Sequence, residues 1–153
     1  MADVQVVKVD ERPGFYHRPE WYRPLLFGDN IYMNVTYLLA GVGMVMGSKR
    51  EKEAELLERA IYMLEGRVEV TCGDKRYDLV PHTAMLVPLQ PGPQVEVRNA
   101  GECTACFITV FSPPPHPDLK IASVERLEQL YRDAKRVVKA PGEMKEVIAT
   151  RPG

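Results

Sequence analysis

Hydrophobic residues recur along this chain in short runs of strand length, and glycine, proline and asparagine separate them. The clearest runs lie in the middle. Ala60 to Leu64 is apolar and ends at Glu65-Gly66, and Arg67-Val68-Glu69-Val70 alternates out of that punctuation. Glycine supplies the positive φ of a tight turn, so the pattern predicts two antiparallel strands. Arg67 to Thr71 and Lys75 to Leu79 flank Cys72-Gly73-Asp74 as a hairpin, and Ala84 to Pro88, Gln94 to Asn99 and Thr104 to Phe111 follow between turns. Upstream, Ile31 to Leu39 and Val42 to Met46 read as two strands broken at Ala40-Gly41, with both faces covered. Short strands at this spacing predict an all-β barrel or sandwich.

The flanks are less regular. Asp3 to Val9 alternates well enough for an edge strand. Residues 13–24 are too rich in proline for a ladder and too rich in aromatics for a flexible linker. They read as an ordered arm that covers a sheet edge, lids a pocket or meets a partner subunit through Phe15 to Tyr22. Between the strands, Ser48-Lys49-Arg50-Glu51 has the form of a helix capping box, and Ala54, Leu57, Ile61 and Leu64 fall at helical spacing. That pattern makes a helix from Lys49 to Leu64 the competing reading; because Ala60 to Leu64 is apolar on all sides and ends in Glu-Gly before a strand, a polar loop or single turn over Lys49 to Leu57 running into a strand is favoured. Ser112-Pro113-Pro114-Pro115 ends the barrel. Ser123 then caps an amphipathic helix reaching about Val138, expected on the barrel's outer wall, and the tail from Ala140 reads as loosely ordered. The expected organisation is one domain: a strand and arm over 1–30, the barrel over 31–113, and a linker, helix and tail over 114–153.

Charge narrows the partners. Lys and Arg number 20 against 21 Asp and Glu, so no global field favours nucleic acid or an anionic membrane. No apolar run reaches the length of a bilayer span, and the expected location is the cytoplasm. Cys72, Cys103 and Cys106 are an odd set that suits a reducing compartment. The Cys103/Cys106 spacing lacks the second ligand pair a metal site needs, so these cysteines are expected to pack as inert side chains.

At this point the residues carry a resemblance. Ala60-Ile61-Tyr62-Met63-Leu64-Glu65-Gly66 resembles the first motif of the cupin superfamily. Gly73 to Pro81, Leu86-Val87-Pro88 and Pro91 to Asn99 resemble the second motif and its approach, and the likeness spans roughly Asn34 to Phe111. It implies a single cupin-like β-barrel, an RmlC-like jelly roll, with the C-terminal amphipathic helix added. Cupins usually hold a metal through histidines and a glutamate. Counting back from Gly66 places Arg59 at the glutamate position and Glu53 and Glu55, or Lys52 and Ala54, at the paired histidines; counting back from Asn99 places Val95 at the last histidine. No family ligand is retained, so no metal cofactor is expected, and a divalent ion held by Glu53, Glu55 and Glu58 is the minority alternative.

Strand alternation puts Arg59, Ile61 and Met63 on one face, and the resemblance turns that face inward. A buried arginine calls for a carboxylate of the protein, such as Glu53, Glu55 or Glu58, or for a ligand's anionic group. Met63, Met85 and Val95, with Val97 and Met44, make the remaining surface apolar and adaptable, or simply fill the barrel. The expected ligand-binding set is therefore Arg59, Glu53, Glu55, Met63, Met85 and Val95. Two functions follow: a metal-free cupin-like domain that binds a small, anionic molecule or serves as an assembly module, or a cupin-type isomerase, lyase or dioxygenase using Arg59, Glu53, Glu55 or Tyr62. The resemblance also implies a homodimer.

Overall fold

Alternation sorts the residues of the central strands onto two faces, and each face finds a cover of its own. The computed structural model describes residues 3–46, 58–88, 94–115 and 121–149. Their strands are β1 (Gly14–His17), β2 (Glu20–Phe27), β3 (Tyr32–Leu38), β4 (Gly43–Met46), β5 (Glu58–Glu65), β6 (Val68–Cys72), β7 (Lys75–Leu79), β8 (Ala84–Val87), β9 (Val95–Arg98), β10 (Ala105–Ser112) and β11 (Val138–Lys139). Helix α1 (Val124–Asp133) and the short α2 (Met144–Ile148) flank β11. A seven-stranded sheet in the order β11-β1-β2-β3-β10-β5-β8 faces a four-stranded one, β4-β9-β6-β7, and every pairing is antiparallel. The result is an all-β jelly roll, as the spacing of the strands predicts.

Between the sheets lies one apolar cluster. Leu38, Ile61, Met63 and Phe107 from the larger sheet meet Val68, Val70, Val95 and Val97 from the smaller, all nearly or fully buried. Asn99 closes this region at the end of β9. Its Nδ2 donates to the carbonyls of Leu38 at 2.8 Å and Cys103 at 2.7 Å, and its Oδ1 accepts from the Gly101 amide at 3.0 Å. The turn between β5 and β6 is made at Gly66 with φ +76°, and a Cβ there would lie 2.9 Å from the Ala105 Cα. Both the backbone angle and the space require glycine.

Four expectations are corrected at the flanks. Asp3 to Lys8 forms no strand; Gln5 ties this segment to β2 through its side chain, which donates to the Phe27 carbonyl and accepts from the Phe27 amide. The aromatic arm is no separate arm but the β1–β2 hairpin, with Pro24 buried opposite Asn34 in the ladder. Phe15, expected at a subunit contact, is fully buried within the chain. Helix α1 stops at Asp133 rather than near Val138. Lys135 takes a left-handed φ of +56°, and the amides of Arg136 and Lys135 bond back to the carbonyls of Tyr131 and Arg132, which completes a Schellman turn and frees Val138 to pair with Phe15.

The tail is also ordered as far as residue 149. Met144 of α2 is fully buried with Leu25, Val35 and Tyr37 on the outer face of the large sheet, and its thioether fills the space that a Cβ on Gly14 would need. Arg23, almost fully buried on that face, bonds to the carbonyls of Val9 and Pro141 and so links both termini. The competing helix and loop at 49–57 lie outside the described residues; from Glu58 onward the chain is strand.

Candidate ligand-binding site

Along β3, β10 and β5 the inward-facing positions change character. Toward one end Leu38, Phe107 and Met63 belong to the closed core. One step further the face turns polar, with Asn34, Thr36 and Thr109 buried, and beyond them stand Tyr32, Phe111 and Arg59. A cavity of about 490 Å³ opens over this part of the sheet. That volume lies in the range of small-molecule sites.

Helix α1 builds the facing wall. Phe15 pairs with Tyr22 and Tyr22 with Thr36, so these residues share the inward face. Val124, Leu127 and Tyr131 of α1 pack on Phe15 and Tyr22. The helix therefore covers the concave side of the sheet, a correction to its expected place on the outer wall. Ser123 starts it by accepting from the Arg126 amide at 3.2 Å. Leu127, Leu130 and Tyr131 then reach the cavity, opposite Tyr22, Phe27 and Tyr32.

Polar groups in this apolar shell are few and organised. Thr36 Oγ1 donates to Asn34 Oδ1 at 2.7 Å and lies 2.9 Å from Thr109 Oγ1, while Asn34 Nδ2 donates to Tyr32 Oη at 3.4 Å. Across the pocket the hydroxyls of Tyr22 and Tyr131 are 2.8 Å apart. Burial raises the pKa of Tyr22, Tyr32 and Tyr131, so all three stay protonated at neutral pH. The lining residues also include the guanidinium groups of Arg18, Arg59 and Arg136, the imidazole of His17 and the carboxylate of Glu20. The Arg59 guanidinium is held 5.3 Å from the centre of the Phe111 ring, and that of Arg136 4.7 Å from Tyr131. His17 and Glu20 join through Nδ1 and Oε1 at 3.1 Å.

Of the expected binding residues, Arg59 lines this cavity. Met63 and Val95 are packed in the closed core, where they fill the barrel. Met85 packs at the core's edge and borders a shallow depression elsewhere. Glu53 and Glu55 lie outside the described residues. Tyr62 is on the outer face of β5, bonded to His82 Nδ1 at 2.9 Å. The polar row was missed, although its signal is present: Asn34, Thr36 and Thr109 interrupt otherwise apolar strands, the first two at the two-residue spacing of one face.

Solved structures superpose on this architecture at low identity. KdgF from Halomonas sp. aligns with a TM-score of 0.60 at 13% identity, over 77% of this chain and 100% of that one. An RmlC-like cupin from Shewanella frigidimarina NCIMB 400 gives 0.59 at 14%, over 76% and 96%. Ectoine synthase from P. lautus gives 0.57 at 20%, over 72% and 79%. No family model and no curated protein matches the sequence. The likeness is one of architecture, the jelly roll itself. This chain has the RmlC-like cupin fold, as the motifs imply.

That fold commonly implies a metal, and the described residues do not fit one. Arg59 and Val95 stand at two of the ligand positions; a guanidinium repels a cation and a buried valine donates nothing. Among the described residues no group of three His, Cys, Asp or Glu could hold a metal ion.

Proposed function

We propose that this chain is a metal-free cupin-like domain that binds a small, partly apolar organic anion in the cavity between the sheet and α1. The observation that carries the reading is the composition of the cavity wall: aromatic and aliphatic side chains, arginines at Arg18, Arg59 and Arg136, and a single carboxylate, Glu20, among the described lining residues. Apolar walls favour a hydrocarbon body, and low-dielectric surroundings strengthen the attraction between a guanidinium and a ligand carboxylate. The neutral tyrosines act as hydrogen-bond donors to such a ligand.

Titration calorimetry with 3-phenylpropionate and its neutral amide, 3-phenylpropanamide, tests the reading. The acid should bind at least tenfold more tightly than the amide, Arg59→Met should remove most of that preference, and EDTA should leave it unchanged. Equal binding of acid and amide, no binding of either, or loss with EDTA contradicts it.

A further inference from the structure

Hydrogen-bond polarity in the pocket floor says more about the ligand. Thr36 has one hydroxyl proton, and it is given to Asn34 Oδ1. The 2.7 Å separation is typical of O–H···O and shorter than the usual N–H···O, which sets the amide with its oxygen toward Thr36. Thr109 therefore donates to Thr36 across their 2.9 Å contact, and Asn34 Nδ2 donates to Tyr32. The row is thus a directed chain with two unequal ends. Its Tyr32 end retains a phenolic proton to donate, which burial holds in place. Its Thr109 end retains lone pairs to accept.

We infer that the pocket selects a hydroxy acid, a carboxylate whose carbon chain also bears an alcohol, with the alcohol read at one end of the hydrogen-bonded row, by Tyr32 or by Thr109. The inference rests on the anion-binding reading above and adds to it the second polar group of the ligand. An alcohol both accepts and donates, so it satisfies either end. A ketone can take only the Tyr32 proton. An ammonium can serve only Thr109 and enters a cavity already lined by Arg18, Arg59 and Arg136. A methyl group in the same place gives the Tyr32 proton and the Thr109 lone pairs no further partner, and sites built to bond a hydroxyl reject analogues lacking it for that reason.

The experiment compares 3-phenylpropionate with 2-hydroxy-3-phenylpropionate and 3-hydroxy-3-phenylpropionate, by calorimetry, on the unmodified protein and on Tyr32→Phe and Thr109→Val. At least one hydroxy acid should bind about tenfold more tightly than the parent acid, and the ratio of hydroxy-acid to parent-acid affinity should fall to about one in at least one of the two variants. Hydroxy acids that bind no better than the parent, or a gain that survives both substitutions, overturn the inference and leave the anion-binding reading standing. Failure of all three acids to bind the unmodified protein overturns both. Should Thr109→Val fold poorly, Thr109→Ala takes its place in the comparison.

Discussion

Thr36 is the residue on which the pocket floor depends. It is the middle of a hydroxyl chain in a face that is otherwise apolar, and its removal orphans a buried amide oxygen on one side and a buried hydroxyl on the other. Thr36→Val should cost about 1–3 kcal/mol in urea unfolding, while keeping the shape of the cavity. Cys106 illustrates the opposite environment. Burial, with repulsion from Glu65 next, pushes its thiol from 9.0 up to about 12, and burial likewise lifts Tyr37 from 10.0 to about 12. The folded state thus keeps protons that the unfolded chain gives up. The associated stability is complete below about pH 9 and is lost as pH rises toward 12. Thermal unfolding should therefore be flat from neutrality to about pH 9 and fall steeply above it; a midpoint that rises over that interval would contradict the assignment. Of these features the sequence carried Arg59, because strand alternation groups it with Ile61 and Met63 and the family resemblance turns that face inward. It did not carry the pairing of Thr36 with Thr109, which comes from β10, more than seventy residues away in sequence.

At the scale of elements, the strands were legible because each is short, alternating or apolar, and bounded by a turn residue. The end of α1 was not, because Lys135 occupies the left-handed position where glycine is the usual marker. That choice leaves room for improvement. Lys135→Gly should stabilise the protein by about 1 kcal/mol, read as a higher urea midpoint with unchanged slope. The tail misled in a related way. Met144, Val147 and Ile148 are too few to announce a helix, and α2 forms because the outer face of β2 and β3 needs a cover. Met144→Ala should cost about 2–4 kcal/mol by the same measurement, the range for emptying a buried site. A cost near zero would mean that the segment does not dock.

For the whole molecule, the order of strands, the turn at Gly66 and the Asn99 clasp made the cupin fold readable from motif and spacing. Function was less readable because Arg59 and Val95 stand where the family's ligands are expected, and the cavity is assembled from β1, β2, β3, β4, β5, β10 and α1. No local pattern reveals that α1 folds over the concave side, since its apolar stripe would suit either face of the sheet. Under the proposed function, this cavity is the place where a ligand meets the protein. Titrating 3-phenylpropionate into isotope-labelled protein and following amide and methyl resonances tests that most directly. Shifts should concentrate on Thr36, Thr109, Leu127 and Leu130, around the pocket. Shifts confined to other surfaces, or none at millimolar ligand, would contradict the account.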